Sequence, residues 1–343
     1  MSLTKTKMRT EISEIPVAVE RLLTEGWSAI EAAAHAARAA DPAFIVTVAR
    51  GSSDHACTYL KYASELLAGL PVASIGPSVA SIYKAQLKLR NVMCISVSQS
   101  GKSPDIVEMA KACERDGALT FALTNNPASP LASASAHTLD IHAGPELSVA
   151  ATKTFLNSAL AGILMLALWK KDDKLLAAIR ALPEKLAQAA KLDWPEAREA
   201  IGSTRSLFTL GRGTTLAMSN EAALKFKETC QLHAESYSSA EVMHGPVSIV
   251  EDAFPVLGFA AGDAAEAAIA ETADALSRKG ARVFATTSAL SKAAMLPHVR
   301  TGHPLLDPLP LIVSFYAMVE AFATSRGIDP DTPRHLNKVT ETV

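Results

Sequence analysis

Glu221, Lys225 and Glu228 stand at i, i+4 and i+7 of a stretch whose apolar spacing predicts a helix over 217–232, so two carboxylates and an ammonium share one face. A carboxylate held beside a lysine is suited to moving a proton between neighbouring carbons, whereas the bland alternative is an exposed ion pair worth roughly a few tenths of a kcal/mol. His244, in the His244-Gly245-Pro246 turn that closes the next segment, is expected to bring an imidazole back toward these carboxylates. A second group is built from hydroxyls. Arg50-Gly51-Ser52-Ser53 and Ser98-Gln99-Ser100-Gly101-Lys102-Ser103 each follow an apolar run and open a helix. Backbone amides, side-chain donors and the positive end of a helix suit a phosphate monoester, although the same residues also cap helices with no ligand. Neither loop is a Walker loop or a dinucleotide fingerprint.

The elements that must carry these groups alternate. Runs of strand type at 44–49, 91–97 and 120–124 are each followed by a turn, and the first two by a helix, which predicts an α/β chain with parallel, doubly wound sheets in three αβα layers. In such sheets ligands bind beyond the carboxyl ends of the strands, where these turns lie. The pattern recurs. Thr47 to Ser53 matches Thr209 to Thr215 at an offset of 162 residues, and the later strands repeat in order at nearly the same offset, which argues for two tandem lobes. The expected division is a helical arm over 1–43, a first lobe with connecting helices over 44–192, a second lobe over 193–325 and a tail over 326–343. The copies differ where Ser98, Gln99, Ser100 and Ser103 face Ala260, Ala261, Gly262 and Ala265, and that loss of hydroxyls favours phosphate in the first lobe.

The chain has 343 residues, 49% of them hydrophobic, and a formal net charge of −2, which gives no electrostatic footprint for nucleic acid or an anionic membrane. Cys57, Cys94, Cys113 and Cys230 form no CxxC pair, so core thiols are expected rather than a metal centre. The apolar run 159–169 is too short to span a bilayer and the polar start lacks a signal-peptide core, from which a cytoplasmic protein is expected. By composition alone Lys338 belongs to a solvated tail.

In series, ARGSSDHA, SQSGKSPD, TNNPASPLA, AGPELSVAATKTF, NEAALKFKE, HAESYSSAEVMHGP and PRHLNKVT resemble the double-SIS (sugar isomerase) family, as found in the isomerase domain of glucosamine-6-phosphate synthase, over about residues 10–343. With 343 residues taken up by the two lobes, that enzyme's glutaminase domain is not expected, and the resemblance is to stand-alone members: deaminases of glucosamine 6-phosphate, galactosamine-phosphate enzymes and fructosamine-6-phosphate deglycases. SIS sensors fused to helix-turn-helix modules are a third class, for which 1–43 is short and poorly basic. The resemblance implies that Ser52, Ser53, Ser98, Gln99, Ser100 and Ser103 hold the sugar phosphate. It makes Glu228 the base between C1 and C2, supported by Glu221 and Lys225, and places Val149 in the sugar pocket. His244 would assist ring opening from a partner subunit, hence a homodimer, and Lys338 would engage the carbonyl. The chain departs from the pattern at Arg50, Lys102, Ala151 and Asn337. The expected reaction converts an amino-sugar phosphate and water into fructose 6-phosphate and ammonia, with no metal or organic cofactor.

Overall fold

The computed structural model describes residues 5–338, so 339–343 of the expected tail lie outside the described residues. Its described residues divide into two compact units, one of residues 17–146, 153–180 and 336–338, the other of 5–16, 147–152 and 181–335.

The first unit is built on five parallel strands, β1 (Phe44–Val48), β2 (Val72–Ser74), β3 (Val92–Val97), β4 (Leu119–Thr124) and β5 (His137–Asp140), in the order β2-β1-β3-β4-β5. The central strand β3 is buried along its whole length, as an uninterrupted Val-Met-Cys-Ile-Ser-Val run must be when helices cover both faces. Its helices are α1 (Lys7–Glu25, residues 17–25 in this unit), α2 (Trp27–Ala40), α3 (Ser52–Ala68), α4 (Ser78–Ser81), α5 (Pro104–Arg115), α6 (Pro130–Ser133), α7 (Lys153–Lys170) and α8 (Asp173–Arg180). Ile106, Met109, Ala110 and Cys113 of α5 pack against Val46, Val48, Val92 and Cys94 of the sheet. α7 is apolar on every side and buried from Lys153 to Ala167, the signature of a helix enclosed by protein; α2 and α3 pack on it.

The second unit repeats the plan. Its helices are α9 (Leu182–Ala189), α10 (Pro195–Ile201), α11 (Thr215–Cys230), α12 (Glu266–Ser277) and α13 (Pro308–Ser325). Its strands β6 (Ser206–Gly211), β7 (His233–Ser238), β8 (Pro255–Gly258), β9 (Arg282–Ala285) and β10 (Ala294–Met295) are parallel in the order β7-β6-β8-β9-β10, so each strand has the neighbours of its counterpart. Two five-stranded parallel sheets with one strand order realise the expected tandem α/β architecture. Sequence reading did not mark α13, the one described helix long and apolar enough to cross a membrane; 83% of that window is buried, and Phe315 stacks edge-on to Phe226 of α11 at 5.2 Å, so its apolar surface is used inside the lobe. All four cysteines are free and buried, and burial pushes the Cys230 thiol up to about 11.

α11 lies hard against the end of β6. A Cβ on Gly211 would fall 2.4 Å from the Thr215 carbonyl oxygen and 2.8 Å from Leu216 Cα, both backbone of the first turn of α11. Gly211→Ala is therefore expected to lower stability by about 1–3 kcal/mol, read as a drop in the urea midpoint. An unchanged midpoint would show that this turn relaxes freely.

Candidate active site

The face formed by Glu221, Lys225 and Glu228 is not an exposed ion pair. Glu221 and Lys225 are completely buried, and only Glu228, with 18% of its side chain accessible, reaches the surface. Lys225 Nζ sits 2.6 Å from Glu228 Oε2 and 3.2 Å from Glu221 Oε1, and the Tyr316 hydroxyl donates to the same Glu221 oxygen at 3.1 Å. Burial on its own would drive the ammonium toward neutrality. The fields of Glu221 and then Glu228 outweigh it, so Lys225 is held above the ordinary lysine range and remains charged. Glu228 Oε1 has no hydrogen-bond partner among the described residues. The arrangement is a fixed carboxylate with one tethered oxygen and one available to take or give a proton.

In the first lobe the hydroxyl loop connects β3 to α5. Gly101 is the pivot: its φ is +61°, and a Cβ there would fall 2.1 Å from Ser129 Oγ. Ser98 is buried and its Oγ accepts from Gly101 N at 3.2 Å, while Ser100 Oγ accepts from Lys102 N at 3.3 Å. Ser103 occupies the N-cap position of α5 with extended dihedrals, yet its side chain makes no capping bond; Pro104 follows it. The Gln99 amide side chain is half-buried and bonded to no described residue, its backbone carbonyl instead accepting from Asn125 N and Thr124 Oγ1. The capped-helix reading therefore leaves Gln99 and Ser103 unexplained, and both are free to donate to an anion. Ser52 and Ser53 begin α3 after Gly51, whose φ is +56°. Arg50 bonds Asp105, two residues past Ser103. A cavity of about 680 Å³ lined by Arg90, Arg115 and Gly117 opens at the opposite, amino-terminal ends of β3 and β4, away from this chemistry.

In the matching loop of the second lobe the backbone polar groups are met by the protein itself. Gly262 N, the counterpart of Ser100 N, donates to Asp307 Oδ2 at 3.0 Å, Arg300 donates to Ala260 O at 2.7 Å, and Ala260 N to Thr286 Oγ1 at 2.9 Å. The loop's Gly262 amide is thus met by an internal carboxylate.

Lys338 is not a solvated tail: its Nζ lies 3.0 Å from Oε2 of Glu146, a buried carboxylate that also accepts from Thr154 N and Oγ1 at 3.1 and 2.6 Å. Val149 is half-buried, in a segment whose Leu147 and Ser148 amides donate to Glu11 Oε1. His244 ends a short 3-10 turn (Glu241–His244) and is exposed; among the described residues it makes no hydrogen bond or ion pair with Glu221 or Glu228. Glu146 and Tyr316 escaped sequence reading. A tyrosine inside an apolar helix, whose hydroxyl must find a partner, is the signal that marks the latter. Among the described residues no cluster of three or more His, Cys, Asp or Glu converges to hold a metal.

With this geometry in view, the sequence pattern of the SIS domain matches the chain twice, over residues 40–168 and 201–325. Glutamine–fructose-6-phosphate aminotransferase (isomerizing) from Pyrobaculum aerophilum is 33% identical over 90% of this chain. The chain spans only 53% of that protein, about half the length of the curated relatives it matches. A crystal structure of a provisionally named phosphosugar isomerase from Silicibacter pomeroyi DSS-3 superposes with a TM-score of 0.93 at 69% identity, covering 95% of this chain and 100% of that one. Glucosamine-6-phosphate deaminase from Thermotoga maritima shares the fold, with a TM-score of 0.77 at 19% identity over 98% of this chain and 100% of that one.

Replacing Lys225 by Met would strand the buried Glu221 carboxylate with the Tyr316 hydroxyl as its remaining named donor, at an expected cost of about 3–5 kcal/mol in urea unfolding. Adding Glu221→Gln should recover a large part of that loss, because the stranded charge goes with it. Additive losses in the double variant would refute the pairing.

Proposed function

The chain belongs to the SIS domain family, with two copies of the domain in tandem, and on that premise we propose that it is an aldose-ketose isomerase that deaminates an amino-sugar phosphate, converting glucosamine 6-phosphate and water into fructose 6-phosphate and ammonia. The observation that carries this reading is the Glu228 carboxylate, tethered through one oxygen by the charged Lys225 and open at the other. In the opened sugar, Glu228 takes the proton from C2 as a C1–C2 enol forms and returns it to C1, leaving the imine of fructose 6-phosphate. Water adds to that imine and ammonia leaves. Gln99, Ser100 and Ser103 at the start of α5, with Ser52, Ser53 and Ser98, hold the phosphate; binding there, remote from C1 and C2, serves orientation. Lys338 donates to the carbonyl oxygen in this scheme.

We assign ring opening to His244 of a second copy of the chain. Its exposure, its lack of a hydrogen bond or ion pair to the carboxylates among the described residues, and the exposed apolar neighbours Met243 and Ile249 support a homodimer in which each subunit completes the other.

Two measurements bear on this. Glu228→Gln keeps the shape and removes the base, so ammonia release from glucosamine 6-phosphate should fall at least about 10²-fold with sugar-phosphate affinity largely kept; turnover near the wild-type rate would remove Glu228 from the reaction. Mixing inactive Glu228→Gln and His244→Asn subunits should restore up to about a quarter of wild-type activity, since half of random dimers are mixed and each mixed dimer holds one intact pair. A mixture as inactive as its parents would return His244 to a role within its own subunit.

A further inference from the structure

The strand order of the first lobe reverses between β1 and β3, so the segments that follow those two strands flank the ligand crevice of this kind of sheet. Arg50 and Asp105 tie these segments together. Arg50 lies just past β1, and its Nε and Nη2 both reach Asp105 Oδ2, at 2.7 and 2.6 Å, in the first turn of α5. The two partners are unequal: the Asp105 side chain is 1% exposed, that of Arg50 is 50% exposed, and Arg50 Nη1 donates to no described residue. A buried carboxylate two residues from Ser103 would by itself repel a phosphate dianion. Arg50 cancels that charge, with Asp54 the other carboxylate within its field, and still has one edge of a planar donor group to offer.

The duplicated lobe supplies an internal comparison. Arg212 is the counterpart of Arg50, but Ala267 stands where Asp105 would be, and Arg212 is exposed with no ion pair to a described residue. The arginine is anchored in the lobe that keeps its hydroxyls and unanchored in the lobe that has lost them.

We propose that Arg50 is a substrate-binding residue that selects for a phosphate monoester, its Nη1 edge donating to a phosphoryl oxygen while Asp105 fixes the plane of the guanidinium. This rests on the phosphate role given above to the loop of residues 98–103. The test is calorimetric titration of inorganic phosphate and fructose 6-phosphate into the full chain and its Arg50→Met, Arg50→Lys, Asp105→Asn, Gln99→Ala and Ser103→Ala variants. Arg50→Met should weaken both ligands about 10–100-fold, the loss expected for one charge-assisted hydrogen bond, and Arg50→Lys should weaken them less. Asp105→Asn should hold or tighten binding, since it removes a negative charge and frees a cation. Equal weakening by Arg50→Met and Asp105→Asn would mean that the pair is only a clamp and would overturn the assignment. Should Gln99→Ala and Ser103→Ala weaken binding while Arg50→Met does not, Arg50 alone is wrong. Wild-type affinity in Gln99→Ala and Ser103→Ala would sink the phosphate role of the loop and that of Arg50 with it.

Discussion

A fully buried ammonium between two carboxylates is the constraint around which the second lobe is arranged. Lys225 cannot be hydrated where it lies, so its charge must be met by Glu221 and Glu228, and the three residues must keep the i, i+4, i+7 register of an unbroken helix. That demand reaches outward. Tyr316 must present its hydroxyl to Glu221 from α13, which therefore has to pack along α11, and it does so through Phe226 and Phe315. Gly211 must lack a side chain so that the first turn of α11 can sit on the end of β6. The polar triad gains little stability over an apolar core; what it provides is a carboxylate of fixed orientation at the surface.

The first lobe meets a different demand with the same scaffold. Its sheet delivers two loops side by side at the carboxyl ends of β1 and β3, and their shapes are set by glycines at positive φ, Gly51 and Gly101. Ser98 and Ser100 spend their hydroxyls on the loop's own amides, which fixes the backbone, while Gln99 and Ser103 keep their polar ends unspent. Rigid backbone with uncommitted donors is what a site needs if ordering is to be complete before the ligand arrives.

Much of this was legible in the residues. Continuous apolar runs such as 91–97 mark buried parallel strands, and the repeat at 162 residues foretold the second sheet because duplicated strands keep their order when their neighbours are duplicated with them. The spacing of Glu221, Lys225 and Glu228 announced a shared face but not its burial, since a helix whose periodicity is weakened by charged residues looks amphipathic until α13 is known to cover it. The short strands β2 and β10 were invisible, having too few residues to show a period. The pairs Arg50 with Asp105 and Lys338 with Glu146 join residues 55 and 192 positions apart, and no local pattern encodes such partners.

Asp307 changes how the duplication should be understood. By accepting from Gly262 N at 3.0 Å, and from Thr301 N and Oγ1 at 2.8 Å each, it ties the 260–265 loop to a carboxylate of the protein itself, whereas in the proposed reading the matching loop of the other half offers its donors to a ligand. Placing serines in 260–265 would thus not by itself make an anion site there, because the Asp307 carboxylate already holds the Gly262 amide. The two halves thus differ by more than a few hydroxyls: the 260–265 loop is closed by an internal acid that serine substitutions alone leave in place.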